Sequence, residues 1–187
     1  MATRPPPGER RLQILQALAD MLQSPGGERV TTAALAARLG VSEAALYRHF
    51  ASKAQMFEGL IDFIEQSVLG LVQQVSERQP DPVEQVRLIV ATVLQFAEKN
   101  PGMARVMAGD ALVLEHERLG ARMALLLDKL ESALKQRLRE AGHPDALAVA
   151  ALLSAFVTGR LQRFARSGFK RLPSEQVADC LGVLLPH

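Results

Sequence analysis

Six side chains between Thr31 and Phe57 could do chemistry together: the Thr32 hydroxyl, the Glu43 carboxylate, the Tyr47 phenol, the Arg48 guanidinium, the His49 imidazole and the Lys53 ammonium. Hydroxyl, imidazole and ammonium groups donate hydrogen bonds to phosphate oxygens. A guanidinium suits a phosphate or the acceptor edge of guanine, a carboxylate accepts from cytosine N4, and the methyls of Ala44 and Ala45 can meet thymine methyls. This is recognition chemistry rather than bond-making chemistry. Nothing else in the chain points to catalysis. His49, His116, His143 and His187 have no metal-ligand spacing, and there is one cysteine, Cys180, and no phosphate-cradling glycine loop. No enzyme activity, metal or cofactor is expected.

The segment TTAALAARLGVSEAALYRHFASKAQMF explains how these groups would be held. Thr32 is expected to cap a short helix whose apolar face carries Leu35, Ala36 and Leu39. Gly40 makes the turn, and Ser42 caps a second short helix running through His49. Small Ala36 lets the two helices approach, while Val41 and Leu46 fill the wedge between them, as in a helix-turn-helix. Ser52 with Gln55 three residues later reads as a capping box. That places Lys53 in the first turn of the next helix, where free N–H groups also favour an anion. Phe50 is assigned to the core.

The run Leu46-Tyr47-Arg48-His49-Phe50 followed by Lys53 resembles the DNA-binding domain of the TetR family. The resemblance implies that Glu43, Ala44 and Ala45 face base edges, and that Thr32, Tyr47, His49 and Lys53 hold backbone phosphates; Arg48 is placed with the base-facing set, within reach of a guanine or a phosphate. It also implies an all-α, TetR-like fold of about nine helices, with an N-terminal three-helix DNA-binding domain and a C-terminal helical domain for dimerisation and regulation. The divisions expected are a disordered, Pro-rich basic arm over 1–8, the reader over 9–51 and the helical body over 52–187. The charge balance agrees. Through Lys53 the chain has seven basic residues against four acidic, and beyond it fifteen against sixteen, so the small positive excess lies with the reader.

Apolar periodicity marks the remaining helices. The first runs from Glu9 to about Gln23 with Leu12, Leu15, Leu18 and Leu22 on one face. A long fourth helix carries Phe57, Leu60, Ile61, Ile64, Val68, Leu71, Val72 and Val75 as a stripe, with Met56, Phe63 and Gly70 left to meet something else. The fifth spans Val83 to Asn100, and a short one follows around Met103 to Met107. Leu112 to Ala141 reads as one further helix. The eighth, with Pro144 in its first turn, is apolar nearly all round from Ala146 to Val157, which suggests a subunit interface. Its end is basic, at Arg160, Arg163, Arg166, Lys170 and Arg171. A last helix covers Glu175 to Leu185, with Cys180 as a buried small hydrophobe. The N-terminus has no apolar stretch suited to a secretory signal, so a cytoplasmic, nucleoid-associated protein with no membrane contact is expected.

Longer stretches, SEAALYRHFASKAQMFEGLIDFIEQS, AEKNPGMARVMAGDALVLEHERLGARM and RFARSGFKRLPSEQ, resemble the nucleoid occlusion branch of that family. This implies a homodimer on palindromic double-stranded DNA that forms higher oligomers there. When DNA-bound, it would antagonise polymerisation of the tubulin-like division protein FtsZ. A groove between the fourth and fifth helices, with Phe63 as apolar anchor and Lys99 and Asn100 as polar ends, would suit the acidic-to-apolar tail of FtsZ. Leu71, Thr92 and Gln95 would line it and supply no charge. The alternative is a repressor released by a small ligand, for which the low aromatic content, 4%, leaves a poor pocket lining.

Overall fold

The computed structural model describes residues 8–24, 29–113 and 115–185, and nearly all of the arm expected over 1–8 lies outside them. Among the described residues there are nine α-helices, one 3-10 turn and no strand. Helices α1 (Glu9–Met21), α2 (Thr32–Leu39) and α3 (Glu43–Tyr47) form the reader. The body follows: α4 (Lys53–Arg78), α5 (Pro82–Lys99), α6 (Pro101–Met107), a 3-10 turn (Asp110–Leu112), α7 (Glu117–Glu140), α8 (Ala146–Arg166) and α9 (Val177–Leu184).

Long α4 serves both parts. Met56 and Phe57 in its first turns are buried with Ile14, Leu18, Leu35, Leu46 and Phe50 of the reader in one continuous apolar core. Further along, Ile61, Ile64 and Val68 join Val90 and Val93 of α5, Leu126 and Leu130 of α7, and Leu153 and Val157 of α8. Opposite charges line the α4–α7 crossing: Arg118 pairs with Glu58 at 2.8 Å, and Arg122 with Asp62 and Glu65, while Lys129 also reaches Glu65. These half-exposed pairs set the register of the two helices more than they stabilise it.

Reader and body also meet at a second seam. Gly102 of α6 lies so close to α1 that a Cβ there would sit 1.8 Å from the Ala19 carbonyl oxygen. One turn on, buried Arg105 donates from Nη1 to the carbonyls of Leu22 and Ser24, each at 2.8 Å. A charge buried at that depth needs such acceptors. These carbonyls include those left open at the end of α1.

Several helix limits differ from the sequence-based expectation. The cap of α2 is Thr31, whose side chain accepts from the Ala34 N–H, and not Thr32. Leu12 points out of the α1 face and is 54% exposed. The expected helix from Leu112 is broken: Gly109 turns left-handed, a 3-10 turn follows, and α7 begins only after His116, whose ring nitrogen accepts from the Arg118 N–H. Pro144 precedes α8 instead of entering it. Gln176, at φ 54°, delays α9 to Val177. Cys180 is half-buried and accepts from Arg160 Nη2 at 3.2 Å.

Helix α8 is the one described helix long and apolar enough, by length and composition, to cross a membrane. Only one of its faces is covered. Ala150, Leu153, Val157 and Leu161 are buried, whereas Leu147, Ala148, Ala151, Leu152 and Ala155 stand exposed, beside exposed Ala121, Ala124 and Leu125 of α7. The two helices pack together, and their uncovered sides present one apolar stripe.

Candidate nucleic-acid interface

The turn between α2 and α3 is built as the motif requires. Gly40 adopts φ 65°, a region that any side chain would strain, and ends α2 with its N–H on Ala37. The Val41 N–H reaches back to the Ala36 carbonyl at 3.0 Å. Ser42 caps α3 by accepting from Ala45 N, and Ser52 caps α4 by accepting from Gln55 N. The Gln55 side chain returns to the Ala51 N–H at 2.9 Å, one residue before the expected partner. Val30, Leu35, Ala36 and Leu46 are buried beneath this frame.

On the outer surface, Glu43, Ala44, Tyr47 and Arg48 are exposed, while Ala45, His49 and Thr32 are half-buried. Two of these groups already satisfy each other. The Thr32 hydroxyl donates to Glu43 Oε2 at 2.6 Å, clasping the start of α2 to the start of α3. Tyr47 is 44% exposed, and among the described residues its phenol has no hydrogen-bond partner. The far end of α3 is fixed from α1: Arg11 donates to the His49 carbonyl at 2.7 Å, and its guanidinium lies over the Phe50 ring, 4.1 Å from the centroid.

Lys53 is not an unencumbered cation. Its ammonium bonds the Glu115 carboxylate and sits 5.6 Å from the Phe57 ring centroid. Arg29 approaches the same carboxylate at 3.7 Å. Glu115, its side chain only 8% exposed, comes from the segment between the 3-10 turn and α7, so an acid of the body holds two cations of the reader side. Arg11, Arg105 and Glu115 all escape a reading of local motifs. Each acts on a partner tens of residues away, and no local spacing signals it.

The expected partner groove is divided in two. Phe63 is half-buried and lines a concavity of about 350 Å³ with Leu12, Leu15, Leu60 and Met103, against α1 and α6 and not against α5. Between α4 and α5 a separate groove of about 290 Å³ is lined by Leu71, Gln74, Val75, Arg78, Leu88 and Thr92. Lys99 and Gln95 are exposed on α5, and the Asn100 amide donates to the Phe96 carbonyl at 2.8 Å where α5 gives way to α6. Arg78 thus supplies the α4–α5 groove with a cation that Leu71, Thr92 and Gln95 lack.

Comparison with known proteins finds two family matches along the chain. Residues 14–60 match the family described as bacterial regulatory proteins of the tetR family, and residues 81–185 match the tetracyclin repressor-like C-terminal domain. The nucleoid occlusion factor SlmA of Idiomarina loihiensis is 49% identical over 173 residues, which is 89% of this chain and 88% of the relative. Among solved structures, a transcriptional regulator from Rhodococcus sp. Rha1 is 27% identical with a TM-score of 0.78, over 93% of this chain and 92% of that one. AibR, solved in complex with isovaleryl coenzyme A and operator DNA, shares the fold at a TM-score of 0.70 and 23% identity, over 95% of this chain and 98% of its own.

Proposed function

Since the chain belongs to the SlmA family of nucleoid occlusion factors, within the TetR regulators, we propose that it binds palindromic chromosomal sites as a homodimer and, once bound, antagonises polymerisation of FtsZ. The observation that carries this reading is the extent of the likeness: it covers the body as well as the reader. A shared helix-turn-helix alone would support only a DNA-binding regulator.

Exposure supports the roles proposed for Glu43, Ala44, Tyr47 and Arg48, while Lys53 would have to exchange Glu115 for a phosphate. Tyr47, His49, Thr32 and Lys53 are the phosphate contacts, and Glu43, Ala44, Ala45 and Arg48 face the base edges, where α3 presents its exposed side. The open apolar stripe of α7 and α8 supports a dimer closed by those helices, an arrangement in which each copy covers the other's apolar side. The protein then works on the chromosome, in the cytoplasm. For FtsZ, two neighbouring concavities on α4 are proposed to share the tail: the one that holds Phe63, against α1 and α6, and the α4–α5 groove that holds Arg78, with Lys99 and Asn100 at the end of α5. A row of apolar positions with cations at intervals suits an acidic, partly apolar peptide.

The test is FtsZ polymer sedimentation with GTP, comparing the protein alone, with a duplex selected from a random pool, and with a scrambled duplex. Loss of polymer confined to the selected duplex is the expected result. Unchanged polymer with tight duplex binding would leave a transcriptional repressor, and a metabolite that releases the DNA would then be sought. Phe63→Ala and Arg78→Glu should each weaken capture of an FtsZ tail peptide with duplex affinity intact. Unaltered capture by both variants sinks the groove.

A further inference from the structure

The turn after α8 is strained. Gly168 at φ 61° and Phe169 at φ 65° are both left-handed, and Phe169 has a side chain that opposes this. The turn closes through Phe169 N–H to Phe164 O at 3.0 Å and Gly168 N–H to Ala165 O at 3.1 Å. Ser167 Oγ accepts from the N–H groups of Lys170 and Arg171. What holds the strain is the Phe169 ring, edge-on to Phe164 at 5.1 Å and 4.8 Å from the Arg105 guanidinium. The chain thereby doubles back and brings Arg171 beside Arg163 and Arg166 on a concavity of about 440 Å³, which Gly159, Gln162 and Ser167 complete.

Elsewhere in the body, Arg87, Arg118, Arg122, Lys129 and Arg137 each pair with a carboxylate, while among the described residues Arg78, Lys99, Lys135, Arg139 and Arg160 do not, so what sets the end of α8 apart is crowding as well as the missing acid. Among the described residues Arg163, Arg166, Lys170 and Arg171 have no such partner, and all four are exposed. Relief of the α8 dipole accounts for Arg163 and Arg166 in the last turn, but not for Arg171 beyond a strained reversal. Crowded guanidiniums without a carboxylate call for an anion from outside, and their planar forks match phosphate oxygens. No aromatic ring lines the concavity, so a nucleobase has nothing to stack on. The ligand chemistry is that of a phosphate group alone. Arg105, which packs on Phe169, also binds the carbonyls at the end of α1, so the concavity is fixed to the reader side of the body.

We propose that Arg163, Arg166 and Arg171 form a second, sequence-independent contact to the phosphate backbone of DNA, apart from the helix-turn-helix. This rests on the DNA-binding reading given above. The test is duplex binding by fluorescence anisotropy over a range of salt, with the full-length protein and with R163Q/R166Q/R171Q. The matching triple lysine variant and R139Q, an exposed arginine at the far end of α7, are the controls. The glutamine variant should lose about tenfold or more in affinity for selected and scrambled duplexes alike. The slope of log K against log salt should fall by about 2–3 per protomer. The lysine variant should keep the slope, and R139Q should behave as wild type.

An unchanged slope in the glutamine variant, or a loss matched by R139Q, overturns the inference while leaving the DNA-binding reading intact. A glutamine variant that sediments as monomer would assign the arginines to the contact between copies. Pyrophosphate binding by the wild type in calorimetry, with the duplex slope unmoved by substitution, would assign them to a small phosphate ligand. Both results also overturn it. A wild-type protein with no salt-sensitive duplex affinity removes the DNA-binding reading first, and this contact with it.

Discussion

Lys53 shows how a single side chain can be claimed by two partners. Glu115 occupies the ammonium in the free protein, where a DNA phosphate is proposed to sit. Binding therefore exchanges one anion for another, and the partly buried carboxylate sets part of the cost. Glu115→Gln keeps an acceptor but removes the competing charge. It should tighten binding to every duplex by about fivefold, corresponding to ~1 kcal/mol, the upper end of what an exposed pair is worth, because this pair is mostly buried, as read by anisotropy at fixed salt. Lys53→Ala should weaken all duplexes alike and lower the salt slope by about 1. Glu43 is bonded to Thr32, which sharpens its test. If Glu43 reads a base, Glu43→Ala relaxes preference at one base pair in a selection experiment. If it only orients Thr32, all duplexes lose equally, and the base-reading assignment fails.

At the scale of the element, capping decided what could be foreseen. Helices opened by Ser42 and Ser52 start where those side chains say, because a hydroxyl accepting from an N–H two or three residues on is a local interaction. The start of α7 is not legible in the sequence because its cap is a histidine ring nitrogen after a 3-10 turn, outside the usual capping residues. Phe169 and Gln176 take left-handed backbone at positions where neither residue type suggests it. The α2–α3 frame is thus legible in capping and spacing, apart from the α2 cap, which is Thr31 and not Thr32, whereas the outward face of α3 rests on the family resemblance. The Glu115 and Arg11 contacts are legible in neither, since they depend on how distant elements pack. The α1–α6 seam is equally non-local and equally testable. Gly102→Ala would force apart two backbones, and overpacking of ~1–3 kcal/mol should lower the melting temperature by about 2–10 °C. An unchanged melting temperature would mean that the helices separate without cost.

For the whole molecule, the open stripe on α7 and α8 is the largest commitment. An Asp at Leu152, 56% exposed at the middle of that stripe, would bury an unpaired charge between copies. Leu152→Asp should therefore sediment as monomer, and lose roughly 100-fold in affinity for a palindrome because the second half-site is no longer linked to the first. Affinity for an isolated half-site should be unchanged. A dimer that survives this substitution would place the interface elsewhere.

Helix α4, from Lys53 to Arg78, is also a lever. At 1.5 Å per residue it is about 39 Å long, so a tilt of ~5° about its far end moves Lys53 by roughly 3.4 Å, close to one base step along a strand. The tilt is not free, because Gly102 and Arg105 tie α1 to α6 beside it. Any such tilt has to disturb that seam. Whatever occupies the α4–α5 groove therefore leans on the same rod whose tip is proposed to meet the DNA, and in a dimer the distance between two readers becomes a mechanical property of the body.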